Sequence, residues 1–127
     1  MCTVVAVRDG AVVNTPAVTE SPLRKLVWFV PEDALEATRG AVFAAGAGRI
    51  GEYERCSWYT TGTGTFLPRE GAVPAIGEVG REERVSEVRV ETVVPAERAA
   101  DAVRALLAAH PYEEVAYELY PLVDVAS

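Results

Sequence analysis

His110, the only histidine in this 127-residue chain, stands in the run His110-Pro111-Tyr112-Glu113-Glu114, with two carboxylates three and four residues beyond it. Imidazole and carboxylate together make a donor set for a divalent metal ion, so His110, Glu113 and Glu114 are candidate ligands. A second reading uses the same residue differently. His110 falls on the apolar stripe of the helix it closes, where an imidazole packs and hydrogen-bonds the last turn without any metal. General acid-base catalysis is a third reading, but no partner for it is evident.

Gly46-Ala47-Gly48-Arg49-Ile50-Gly51 matches GxGxxG. That pattern cradles a pyrophosphate when it follows a strand and opens a helix. Here it follows a predicted helix and enters a predicted strand, which makes it a helix stop with a tight turn, and Arg49 remains a possible contact for an anion. The acid pairs Glu82-Glu83 and Glu113-Glu114 read as solvated carboxylates of an acidic chain. With no serine elbow and no P-loop, a nucleophile with its base cannot be assembled, and a small hydrolase is the least supported reading. Cys2 and Cys56 form no CxxC pair and are expected to be free thiols.

The elements that must position these residues read as one unit written twice. Lys25 to Val30 (KLVWFV) is a strand-like run that meets Pro31-Glu32-Asp33; Val88 to Val94 (VRVETVV) meets Pro95-Ala96-Glu97. Proline suits the first turn of a helix and acids suit its positive end. One helix is predicted through Leu35, Thr38, Val42 and Ala45, and its counterpart through Ala99, Val103, Leu106, Leu107 and His110, each with one apolar face. Strands follow at Tyr53 to Thr60 and Val115 to Leu122. The order β-α-β-β-α-β gives an α+β ferredoxin-like split β-α-β sandwich, a four-stranded sheet with both helices on one face. The uncovered face, carrying aromatics such as Trp58, Tyr59, Tyr117 and Tyr120, predicts a homo-oligomer. Residues 1–24 read as a hairpin or arm outside the repeated unit, and 25–127 as the domain. Thr61 to Arg84, with five glycines and two prolines, reads as a long loop able to take a small-molecule or protein ligand.

A net charge of −7, without a basic cluster, argues against nucleic acid and anionic membranes as partners. Apolar runs stop at five residues and no secretion signal is visible, so the expected location is the cytoplasm.

In series, KLVWFVPED, GAGRIGEYERCSWYTTGTGTF, IGEVG and AHPYEEVAYELYPL resemble the CutA-like, PII-like domain inserted in the Nif-three-like family of hexameric dinuclear-metal proteins, also labelled GTP cyclohydrolase type 2-like. The resemblance covers roughly residues 25–122, and the closing HPYE is similar to that of the CutA divalent-cation-tolerance proteins, which form trimers. It implies the split fold, assembly through strand edges with a trimer favoured, and a loop placed like the ligand-responsive loop of PII proteins. The family's dinuclear site would lie in the domain flanking the insertion, so the hydrolase label does not transfer and a non-enzymatic binding or regulatory module is expected. Carried over by the motifs, the positions to watch for ligand contact are Gly48, Arg49, Gly51, Tyr53, Gly62, Gly64 and Tyr112. His110 and Glu113 are carried over with them, and a CutA-like protein binding a divalent metal is the alternative function. Val115 departs from the proline common at that position, and the first 24 residues have no counterpart in the pattern.

Overall fold

The computed structural model describes residues 5–8, 11–14 and 17–125, with side chains from residue 17 onward. Strands β1 (Val5–Arg8) and β2 (Ala11–Asn14) pair antiparallel. The expected glycine turn at Gly10, and Cys2, lie outside the described residues. The sheet that carries the core comprises β3 (Val18–Val30), β4 (Ser57–Phe66), β5 (Glu83–Pro95) and β6 (Tyr117–Val125), in the order β4-β5-β3-β6. Helices α1 (Leu35–Ala44) and α2 (Ala99–Ala109) link the strands of each half.

Lys25 lies opposite Val93 and Val30 opposite Val88, so the two copies of the strand are the central antiparallel neighbours. Both end in the same junction. Pro31 and Pro95 hold φ near −62° and −58°, and each leads into one 3-10 turn before its helix. Proline's fixed φ suits that entry, and its missing N–H is not needed there.

Alternation along the central strands sends Leu26, Trp28 and Val30 with Val88, Val90 and Val94 onto one face, where Leu35, Val42, Ala102 and Leu106 of the helices cover them. Trp28 brings a polar atom into this core, and its indole N–H donates to Thr38 Oγ1 at 3.0 Å. The threonine on the apolar stripe of α1 is therefore the acceptor a buried indole requires.

Strand limits differ from the sequence pattern at several places, among them β6, which runs Tyr117–Val125 and not Val115 to Leu122. β3 begins at Val18, seven residues before Lys25, because β6 extends far enough to pair Val125 with Val18; the register slips between Glu20 and Arg24. β4 begins at Ser57, not Tyr53, because Gly51 and Arg55 take φ of 57° and 58° and turn the chain first. β4 then runs on to Phe66 and β5 starts at Glu83, so the connecting loop is residues 67–82. Gly62 and Gly64, expected in the loop, lie inside β4 opposite Glu87 and Val85. Their pairing with a partner strand overrides the low strand preference of glycine.

Candidate functional site

Helix α2 stops at Ala109 because Pro111 cannot continue it, and His110 swings out to φ −85°, ψ 139°. The imidazole is 7% exposed and both of its nitrogens are engaged. Tyr112 N–H donates to Nδ1 at 3.1 Å, so the proton sits on Nε2, which donates to the Phe29 carbonyl at 2.7 Å. The ring thereby ties the end of α2 to the end of β3. Its plane lies 57° from that of Tyr112, with centroids 4.9 Å apart.

Neither nitrogen is left to a metal without breaking one of these bonds. Glu113 is spoken for as well, since its Oε1 accepts the Val73 N–H at 2.8 Å and pins the 67–82 loop to the α2–β6 turn. Among the described residues, no group of three or more His, Cys, Asp or Glu side chains could hold a metal ion. The sequence pattern placed His110, Glu113 and Glu114 together as ligands, whereas the fold uses the first two as ties.

What this corner does form is a cavity of about 420 Å³ under the loop. Its walls include Phe29 at the end of β3, Phe66 and Leu67 leaving β4, and Pro74 and Ile76 of the loop. Polar groups enter from two levels. Glu113, Glu114 and Arg69 are exposed at the rim, while Glu87 and Tyr112 are half-buried.

Glu87 comes from the sheet face that the helices leave open, and a Cβ on Gly64 would collide with its carboxylate. A side chain at position 64 and the observed Glu87 conformation are thus mutually exclusive. No hydrogen bond or ion pair engages this carboxylate among the described residues; burial raises its pKa above the ordinary value, and a charged His110 would oppose that rise. The Tyr112 hydroxyl is buried without a partner among the described residues. Burial first, then the negative charges of Glu87 and Asp33, push its pKa up.

Apart from Gly62, which lies within β4 opposite Glu87, the remaining expected residues precede the other end of β4. Gly46 and Gly48 have φ of 113° and 88°, and their amides donate to the Phe43 and Val93 carbonyls. Ile50 and Tyr53 exchange backbone hydrogen bonds across the next turn. Every one of these amides is consumed by the chain, so the GxGxxG run is the helix stop and turn that its context suggested. Arg49 and Tyr53 are exposed there, and neither lines the cavity, nor do Gly51 and Gly62. Of the candidate residues, the fold gathers Gly64, Tyr112, Glu113 and Glu114 in the cavity wall, sets His110 and Gly62 beside it, and leaves Gly48, Arg49, Gly51 and Tyr53 apart from it. Glu87 and Phe29 were not singled out from sequence. The available signal for Glu87 was its place on the alternating face of β5, across from the only two glycines of β4.

Comparison with known proteins places the chain in a recurrent domain. No family model matches the chain. It is 53% identical over 108 residues to the GTP cyclohydrolase 1 type 2 homolog of Mycobacterium tuberculosis, a match covering 85% of this chain and 28% of that protein. The Bacillus subtilis protein of the same name is 48% identical over 110 residues, covering 87% and 29%. The chain therefore spans less than a third of the length of these relatives. Among solved structures, a Bacillus cereus protein related to NIF3 matches with a TM-score of 0.72 and 44% identity, over 88% of this chain and 28% of that one. The divalent cation tolerance protein CutA of Archaeoglobus fulgidus has a TM-score of 0.59 at 15% identity, over 79% and 83%, and so shares the fold.

Proposed function

We propose, for a chain that corresponds to the CutA-like domain of the Nif-three-like family, that its task is to bind a small ligand within a homo-oligomer, without catalysis. The cavity under the 67–82 loop carries this reading. Its volume of about 420 Å³ falls in the range of ligand sites, and its mostly apolar wall with a few convergent polar groups is the usual composition of one. Glu87 and Tyr112 are held half-buried with hydrogen-bonding capacity unspent, which costs stability unless a ligand uses it. The lining groups are carboxylates, a phenol and a guanidinium, a set for holding a ligand in place of attacking one.

Self-association is supported by the open sheet face. Register puts Trp58 and Tyr120 on that face, at 58% and 40% exposure, and among the described residues both β4 and β6 end the sheet with an unpaired edge. Exposed aromatics on a sheet bounded by free edges are what a second copy would cover.

Native mass spectrometry is expected to find a multiple of the 13.6 kDa subunit, with the trimer as the expected multiple. A thermal-shift screen of small molecules should give hits that vanish in Gly64→Trp, whose side chain fills the cavity. A strict monomer at micromolar concentration, together with hits that stabilise the variant equally, would overturn the proposal.

A further inference from the structure

We infer that the cavity under the 67–82 loop takes a small organic cation, an ammonium or amidinium head on an apolar body. The inference rests on reading the cavity as a ligand site and goes on to name the class of ligand. Charge decides it. Three carboxylates line the cavity, those of Glu87, Glu113 and Glu114, against one guanidinium, that of Arg69. Arg69 and the two later glutamates are exposed at the rim, where solvent screens them. Glu87 lies deeper, and Gly64 leaves the space its carboxylate occupies.

Tyr112 lines the same cavity, and its hydroxyl is buried without a partner among the described residues. A cationic nitrogen carries several N–H donors, so it can serve the Glu87 carboxylate and a second acceptor of the lining together. Phe29, Phe66, Leu67, Pro74 and Ile76 then contact the apolar body. An anionic head such as a phosphate would meet the unpaired Glu87 carboxylate and the negative rim, with Arg69 alone in its favour. Burial raises the pKa of the Glu87 carboxyl above its ordinary value, so the site gains its charge, and its affinity for cations, as pH rises through the raised pKa.

Calorimetry of the full chain with hexylammonium, hexanol and hexanoate separates head group from body. Hexylammonium is expected to bind about 10-fold or more tightly than hexanol, the effect of one charge-assisted hydrogen bond, and hexanoate more weakly than either. Glu87→Gln should bring hexylammonium down to the level of hexanol while leaving hexanol unchanged, with circular dichroism confirming the fold. Binding of hexanoate as tight as that of hexylammonium, or a cation preference that survives Glu87→Gln, overturns the ligand class and leaves the cavity as a ligand site. Absence of binding by all three probes to the wild type overturns the ligand class and counts against the site as well.

Discussion

Glu87 and His110 show two ways of burying a titratable group, with opposite consequences for stability. Glu87 has a folded pKa above its unfolded value, so the folded state holds its proton more tightly and loses stability as pH rises through the folded pKa. Glu87→Gln removes a charge that burial disfavours. It is expected to melt at a higher temperature than wild type at pH 7, with the gain shrinking as pH falls to the ordinary carboxylate range; a gain that does not change with pH would refute the assignment. His110 instead has both nitrogens satisfied by backbone groups of two elements. His110→Ala should cost about 2–3 kcal/mol in chemical denaturation, two part-buried hydrogen bonds plus packing, and a loss within error of zero would deny it that role. Tyr112→Phe should be neutral or stabilising by about 1 kcal/mol in the unliganded chain, because it deletes a buried hydroxyl with no partner.

Two connections set where the elements meet, and each depends on a different residue type. After α1, Gly48 adopts φ of 88° with Phe43 carbon atoms 2.8 Å from where a Cβ would stand, and its amide joins the end of β5. Gly48→Ala should therefore destabilise by about 1–3 kcal/mol through backbone strain and contact with the ring. The GxGxxG spacing was legible as a stop because a helix precedes it; that its middle glycine also stitches into the sheet depends on Val93, 45 residues away. Across the sheet, the 67–82 loop is held by Glu113 to the Val73 amide and by the Gly80 amide to the Pro68 carbonyl. Glu113→Ala is expected to speed hydrogen exchange at Val73 while the central β3 and β5 amides keep their protection. Unchanged exchange at Val73 would mean that the tie does not hold the loop.

Assembly is a property of the sheet. Alternation sends Trp58 and Tyr120 to the open face and Tyr59 and Tyr117 to the helical one; all four are exposed, the first two because no helix covers their face and the others because they lie on the edge strands. Trp58→Arg with Tyr120→Arg should lower the mass seen by light scattering without loss of helical circular dichroism; an unchanged mass would move the interface elsewhere. The repeated strand-proline-acid junctions, the one-faced helices and the alternation of Val88 to Val94 are local patterns, and they sufficed for the element order, the central pairing and the covered face. Strand ends were less legible, since the Gly-Thr run of β4 is a strand only through its partner β5. The candidate site was half legible: Gly64, Tyr112, Glu113 and Glu114 stood out as residues, but their use did not. A carboxylate's role depends on what comes near it in space, so only folding could assign Glu113 to a backbone amide, His110 to the Phe29 carbonyl, and Glu87 to the space left by a glycine on the neighbouring strand.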